Sequence, residues 1–375
     1  MSNKQLFCDS YCCLLRKSNT GFNLFNFWAL TKPNLLYKQP FKKTAQKPNF
    51  YKTKLSKLIP AVLCLSMILL VERISKLYSK LENHHHHHHA DHRKPEALSA
   101  SLQAFRSDVS SCLNQLRLNP KPGSEILSLT WIRLCLGLIP VVNKAFAKLV
   151  VDIDYPISKW EDASVEEYLN YSFSLLELFN SISSSLAYHG QARLSLAHAL
   201  SLVEDSPSSA IERLKPVEPR SVSKELKEGE GKERICSGEE GVLHEALTVM
   251  RSIGFWVCGI VLSCLCSDSK PYLEMRKSVG GLENSSFADL DSSMCEIVMQ
   301  KGVVLKEVEE LNDAVSCLVA GLVSGKYSEA AKEMQGKLEV YEKLVDGLRK
   351  EVDHLFSEVL AARNELVDCL RHQKE

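Results

Sequence analysis

The amino-acid sequence predicts an all-α protein, a multi-helix bundle with long helices and a heptad-patterned helix at its C-terminus. Leu, Val, Ala, Glu and Lys dominate after residue 95, and only 7% of the 375 residues are aromatic, which favours helices over sheets. Apolar residues recur at helical spacing along most of this part of the chain. An apolar share of 45% is that of a protein that buries a core.

The zero net charge hides an uneven distribution. Residues 1–57 hold eleven Lys or Arg and one acid, whereas the chain from residue 67 onward holds 35 basic and 45 acidic residues. Binding to a phosphate backbone depends on clustered Lys and Arg, which a mildly acidic helical body lacks. We therefore do not expect nucleic acid as a partner.

Residues 1–66 are predicted to be a poorly ordered basic leader. They show no sustained helical or strand period, and the apolar stretch Leu58–Val71, interrupted by Pro60, is too short to span a membrane. The leader is compatible with targeting. Alternatively it is not part of the native protein and translation starts at Met67, where a plausible amphipathic helix begins.

Residues 67–96 are predicted to form a short helix and a histidine-rich linker. His84–His89 stand inside the chain without flanking protease-site residues, so we interpret them as a natural low-complexity segment. Metal binding by such a run on a column does not indicate a biological cofactor.

Residues 97–204 are predicted to be the N-terminal helical half. A first helix follows Ala97, and a second, mostly apolar helix runs from about Glu125 to Val151 with a kink at Pro140, which removes a backbone hydrogen bond. Ser164-Val165-Glu166-Glu167 matches a capping box and predicts the start of a third helix.

Residues 205–241 are predicted to be a charged, mobile linker, because they are rich in Pro, Gly, Lys, Arg and Glu and leave little apolar surface to bury. Gly229-Glu230-Gly231-Lys232 lies in this linker and resembles a phosphate-binding loop only faintly. Glu233 stands where such a loop needs Ser or Thr, and no strand precedes it.

Residues 242–375 are predicted to be the C-terminal helical half. The uncharged run 252–267 indicates either a buried core helix, which we favour, or a membrane segment, for which it is short. Ser293-Met294-Cys295-Glu296 matches another capping box. Val304–Leu322 alternates apolar steps of four and three, and Gly325 is a suitable C-terminal cap.

The last helix is predicted to begin at Ser328 and to be the longest. Its apolar residues alternate steps of three and four over more than five heptads, namely Ala331, Met334, Leu338, Tyr341, Val345, Leu348, Val352, Leu355, Val359, Ala362, Leu366 and Cys369. This seam fits an intermolecular coiled coil or an arm of an internal bundle. Additional apolar residues such as Leu344 and Phe356 widen the stripe and favour internal packing; the oligomeric state stays open.

The sequence offers no catalytic, cofactor-binding or metal-binding residues. No CxxC pair occurs, so the cysteines predict buried, reduced thiols of a cytosolic protein. Asp289-Leu290-Asp291 lacks the glycine of a calcium loop and is interpreted as a helix cap, and Asn170-Tyr171-Ser172 is only a formal glycosylation sequon. The remaining histidines stand singly, without a triad or metal-ligand pattern: His189, His198, His244 and His354.

Several motifs carry a family resemblance. They are Phe105–Val109, Leu127–Leu134, Pro156–Asp162, Leu175–Asn180, Glu351–Phe356 and Arg363–Leu366. Together they resemble the BYPASS family of plant proteins over about residues 95–375. The resemblance implies a role in root and shoot development, in which the protein restrains production of a mobile root-derived signal, and it implies no catalytic residues.

The sequence thus predicts a non-enzymatic regulatory or adaptor protein that works through protein partners. The alternatives are an enzyme acting directly on a small-molecule signal and a membrane-anchored trafficking adaptor that contacts the membrane through 252–267. A cytoplasmic location is expected, with membrane association or a plastid location as alternatives.

Overall fold

The computed structural model describes residues 95–118, 126–220, 236–278 and 286–372. All regular structure in these ranges is helical, so the predicted all-α bundle is confirmed. The helices are α1 (Pro95–Leu118), α2 (Leu129–Leu136), α3 (Leu138–Asp152), α4 (Asp162–Ser201), α5 (Pro207–Arg213), α6 (Gly238–Cys266), α7 (Lys270–Ser278), α8 (Ser286–Lys301), α9 (Lys306–Ser324) and α10 (Ser328–His372), with a 3-10 helix at Ile157–Lys159. The predictions for the leader 1–66, Met67, His84–His89 and Gly229–Lys232 lie outside the described residues.

Helix α6 lies at the centre of the packing. It contacts α1, α2, α3, α4 and α7, and every residue from Ser252 to Cys266 is buried. In this structure the run 252–267 forms part of a buried core helix, the interpretation that the sequence favoured. Residues 129–152 and 238–266 are each long and apolar enough to span a membrane, but buried core helices of soluble proteins pass the same test. Membrane contact through 252–267 stays a prediction.

Helix α10 begins at Ser328, as predicted, and packs against α4, α9 and α2. Nine of the twelve predicted seam residues are buried, and Ala331 and Ala362 are half-buried. The nine are Met334, Leu338, Tyr341, Val345, Leu348, Val352, Leu355, Val359 and Leu366. The seam faces helices of the same chain, which is the internal-bundle arrangement. Cys369, the last seam position, is exposed.

Both predicted capping boxes are wrong. Helix α4 begins at Asp162, and the N–H groups of Ser164 and Val165 donate to the carbonyl of Glu161, which occupies the cap position. Ser293 lies inside α8, where its Oγ donates to the Asp289 carbonyl at 2.8 Å. Both serines thus lie inside their helices instead of at the position before the first helical residue, where a side chain can reach the free N–H groups.

The predicted kink at Pro140 is a break between two helices at Gly137, three residues earlier. Pro140 therefore lies in the first turn of α3, where the absence of an N–H removes no intrahelical bond. At the other predicted stop, Gly325 closes α9 with φ 73°, in the left-handed region that glycine adopts without strain.

The first part of the predicted mobile linker 205–241 is ordered, which corrects that prediction. Residues 207–213 form α5, with Ala210 fully buried, and Leu214 and Val217 are buried after it. These apolar side chains were hidden in a segment whose average composition is polar. Helices from both sides of the linker also pack together, since α4 contacts both α6 and α10.

Candidate functional site

Polar side chains in the interior meet at junctions between helices. The first joins α4, α6 and α10 through the buried His189, whose Nε2 lies 2.7 Å from the Leu265 carbonyl and whose Nδ1 lies 2.6 Å from the Tyr341 hydroxyl. Burial lowers the pKa of His189 and raises that of Tyr341. The neutral ring therefore donates from Nε2 to Leu265 and accepts the Tyr341 proton at Nδ1, so both nitrogens are engaged.

The second junction joins α6, α7 and α8 through the buried carboxylate of Asp291. Its Oδ1 accepts from Trp256 Nε1 at 2.9 Å and from the Tyr272 hydroxyl at 2.7 Å, while its Oδ2 accepts from Arg276 Nε at 2.6 Å. Burial, followed by the bond to Asp291, raises the pKa of Tyr272. The residue predicted as part of a helix cap is thus an interior acceptor that satisfies three donors.

Two further carboxylates hold the starts of helices. Glu240 of α6 is buried and accepts from the hydroxyls of Ser164 and Tyr155 near the start of α4. Glu307 of α9 accepts the Leu129 N–H with both oxygens at 3.0 Å, which fixes the first residue of α2. Burial raises the pKa of Glu307. Both carboxylates thus form hydrogen bonds that link segments distant in sequence.

The family-like motifs occupy this same framework. Trp131 and Trp160 are buried, and the Trp160 indole donates to the Tyr155 carbonyl at 3.1 Å. Arg133 of α2 pairs with Glu351 of α10 at 3.3 Å, which brings two of the motifs together. The tryptophans that make the resemblance specific are therefore packing residues in this structure.

The other sequence candidates are separate from one another. His244 contacts Glu167 at 3.0 Å and His354 contacts Glu358 one turn away, whereas His198 is exposed. No cluster of three or more metal-ligating side chains occurs in the described ranges. In the formal sequon, Ser172 is buried within α4 and donates to the Leu169 carbonyl.

The cysteines of the described ranges are free thiols, and four of them are buried: Cys135, Cys258, Cys264 and Cys266. Burial raises the pKa of Cys264 to about 12, and burial also raises the pKa of Cys135 and Cys258. Cys317 and Cys369 are exposed, which departs from the prediction of buried thiols at those two positions. Their sites on the outer faces of α9 and α10 explain the difference.

Residues 214–220, which we name the strap, form the feature that sequence reasoning missed most completely. The strap follows α5 without regular secondary structure, and a single side chain binds both polar groups of its central residue. Asn312 of α9 accepts from the Val217 N–H at 2.8 Å and donates to the Val217 carbonyl at 3.2 Å. The only sequence signal was the spacing of Leu214 and Val217 around Pro216.

The far end of the strap binds α4 and the end of α6. The Tyr188 hydroxyl donates to the Glu218 carbonyl at 3.1 Å, and the Arg220 N–H donates to the Cys266 carbonyl at 2.9 Å. The Arg220 guanidinium lies 5.6 Å from the centre of the Tyr188 ring, a cation–π geometry. Asn312, Tyr188 and the Cys266 carbonyl thus form a site that binds the backbone of the strap, which we name the strap site.

Comparison with known proteins shows similarity to three plant proteins. The chain is 24% identical over 72% of its length, and 83% of the relative's, to Protein BPS1, chloroplastic, of Arabidopsis thaliana. It is 27% identical to UPF0496 protein 4 of rice, over 68% of this chain in the japonica form and 59% in the indica form. The matches span 63% and 54% of those two rice proteins, less than two thirds of their length.

No family model matches the chain, and no solved structure matches it. The similarity to BPS1 and to the UPF0496 proteins confirms the resemblance drawn from the motifs.

Proposed function

We propose that this chain, a relative of the BYPASS family of plant developmental regulators, is a non-enzymatic regulatory or adaptor protein of root and shoot development. In this proposal it restrains production of a mobile root-derived signal, as the family resemblance implies, and it acts through protein contacts. The similarity to BPS1 supports the developmental setting.

The observation that carries the proposal is the use made of the interior polar groups. Both ring nitrogens of His189 and both carboxylate oxygens of Asp291 are hydrogen-bonded to side chains or backbone of neighbouring helices. Glu240 and Glu307 likewise hold helix starts. A general acid or base must reach a substrate, whereas these groups hold the bundle together. This use supports a scaffold that presents surfaces to partners.

The proposal is tested by affinity purification of the tagged full-length protein from roots, combined with reciprocal grafting. We expect a stable protein partner to co-purify, and we expect roots that lack the protein to impair a wild-type shoot. A wild-type shoot that grows normally on such roots contradicts the root-derived signal. Turnover of a root metabolite by the purified protein contradicts the non-enzymatic role.

A membrane-anchored adaptor is the second candidate, and the length and apolar character of residues 129–152 favour it, since half of that stretch is not buried in the bundle. Fractionation of root extracts with an alkaline wash tests this candidate. An anchored protein stays with the membrane pellet, whereas a protein that acts by protein contacts alone is recovered in the supernatant.

We propose a cytoplasmic location, with the plastid as the alternative that the name of the Arabidopsis relative supports. A fluorescent protein fused to the C-terminus of the full chain distinguishes the two compartments. Fluorescence confined to plastids would replace the cytoplasmic proposal.

A further inference from the structure

The strap is bound in the manner of a peptide ligand. Pro216 and Pro219 fix their own φ near −65° and push the residue before each toward extended backbone. The chain turns tightly where the strap begins, since the Lys215 N–H donates to the Arg213 carbonyl at 2.9 Å. Leu214 and Val217 are both buried, while the two residues between them are exposed.

Asn312 binds the backbone of the strap and not its side chains. One carboxamide that binds the N–H and the carbonyl of the same residue replaces the pairing that a neighbouring strand would supply. Tyr188 and the Cys266 carbonyl also bind the strap backbone, with one hydrogen bond each, at the Glu218 carbonyl and the Arg220 N–H. Hydrogen bonds to backbone do not depend on the identity of the side chains that the bound segment carries.

The strap is held by few buried groups. Lys215, Pro216, Glu218, Pro219 and Arg220 are all exposed, so only two side chains anchor the segment in the core. Segments with few buried apolar contacts open at a lower free energy than the helices around them. We therefore expect the strap to open at a lower free energy than the whole bundle.

We propose that the strap site is a peptide-recognition site, that the strap is its built-in occupant, and that a protein partner displaces it. The partner segment is extended, with the pattern apolar-x-Pro-apolar-x-Pro and a cation next, as in Leu214-Lys215-Pro216-Val217-Glu218-Pro219-Arg220. Tethering gives the strap a high effective concentration, so it excludes weak competitors. This inference rests on the proposed function as an adaptor and names the chemistry of the partner.

A fluorescent peptide of residues 211–220 tests the proposal with the full chain. Val217→Asp places a charge at the buried anchor and should release the strap, while circular dichroism and thermal melting check that the bundle is intact. We expect this variant to bind the peptide at least about tenfold more tightly than the wild type, whose site is occupied. The same peptide carrying Asp in place of Val217 is the control and should not bind.

Asn312→Ala in the Val217→Asp background is the matched second variant. It removes two hydrogen bonds to the bound backbone and should weaken peptide binding by about tenfold or more. An intact Val217→Asp chain that binds the peptide no better than the wild type overturns the proposal, as does binding that ignores Asn312→Ala.

Hydrogen exchange of the wild-type chain gives an independent measurement if Val217→Asp does not fold. The Val217 and Arg220 amides should exchange through local opening, faster than those of the buried core of α6. If they exchange only with global unfolding, the strap is a fixed part of the bundle and the proposal fails. A partner found in roots without this peptide pattern would leave the adaptor function standing and refute only this inference.

Discussion

Helices α6 and α10 both contribute to the core of the bundle, but they bury their apolar residues in different ways. The second half of α6, residues 252–266, is uncharged and buried on every side, whereas α10 buries one seam and exposes the rest. A helical period is visible in the sequence only when a helix has a solvent side. Helix α10 therefore shows its seam in the sequence, whereas the second half of α6 shows only an uncharged apolar run.

The space around the glycines also differs between α6 and α10. A Cβ at Gly254 of α6 would lie 2.6 Å from the Tyr171 hydroxyl, and one at Gly259 would lie 3.0 Å from Met275. A Cβ at Gly336 or Gly347 of α10 would meet nothing within 4 Å. The same residue permits close helix contact in α6 and costs conformational entropy without any compensating contact in α10.

The largest effect is expected from a charge in the α10 seam. Leu348 is 1% exposed, so Leu348→Asp should destabilise the bundle by about 4 kcal/mol or more and leave the chain largely unfolded in circular dichroism. Val340→Asp, at an exposed position of the same helix, is the control and should change the free energy of unfolding little. A well-folded, monomeric Leu348→Asp chain would instead indicate that the seam is a dimer contact.

The next effect concerns the polar junction on α6. Asp291→Ala leaves the buried Trp256 N–H and the Arg276 guanidinium without the carboxylate that accepts from them, which should cost about 3 kcal/mol. The Tyr272 hydroxyl keeps one acceptor, the backbone carbonyl of residue 291 at 3.1 Å. Urea denaturation followed by tryptophan fluorescence measures this cost. Ser292→Ala, on the exposed side of α8, is the matched control. A loss below about 1 kcal/mol would show that water replaces the carboxylate.

Gly254→Ala should cost about 2 kcal/mol, because the buried Tyr171 ring must shift to admit the methyl group. Tyr171→Phe removes the clashing oxygen, so the double variant should be less destabilised than the sum of the two single variants. Thermal melts of the four proteins of this cycle measure the coupling. Strict additivity would mean that the helices separate instead of the ring moving.

A smaller, pH-dependent effect is expected where His189 links α10 to α6. The unfolded histidine titrates near 6.5, and burial lowers the pKa in the folded state, so the unfolded chain takes up the proton first as the pH falls. Stability should be complete above about pH 7 and should decrease as the pH falls through 6.5. Denaturation at several pH values should show a shallower decrease for His189→Gln, and an equal decrease would assign the effect to other groups.

The smallest effect has the opposite sign. Gly347→Ala should stabilise the chain by about 0.5–1 kcal/mol, since alanine has the higher helix propensity and meets no neighbour. Gly259→Ala on α6 is the paired test and should destabilise, because Met275 and the Tyr272 backbone lie close to the new methyl. If both substitutions changed the free energy of unfolding in the same direction, the glycines of the two helices would not differ as proposed.

The sequence predicted correctly those features of the fold that depend on the residues of one helix alone. The seam of α10, its start at Ser328 and the cap at Gly325 follow from local periodicity and backbone preference. The capping boxes failed because the two helices begin upstream of Ser164 and Ser293, at Asp162 and Ser286. Serine in a helix start has several alternatives, and sequence spacing does not choose among them.

The strap and the polar junctions were not predictable by the same means. Asn312 lies 95 residues from Val217, and Tyr341 lies 152 residues from His189. Periodicity carries no information on such partners, because it describes one helix at a time. Leu214 and Val217 were averaged into a charged, proline-rich segment, so the two side chains that anchor it were not recognised.

The buried thiols of α6 can be used as probes of how often the helical bundle opens. Cys258, Cys264 and Cys266 are covered by neighbouring helices, so an alkylating reagent reaches them only when the bundle parts, while Cys317 and Cys369 report how much reagent was delivered. Mass spectrometry of proteolytic peptides after timed labelling then measures how fast the α6 thiols become accessible, relative to Cys317 and Cys369.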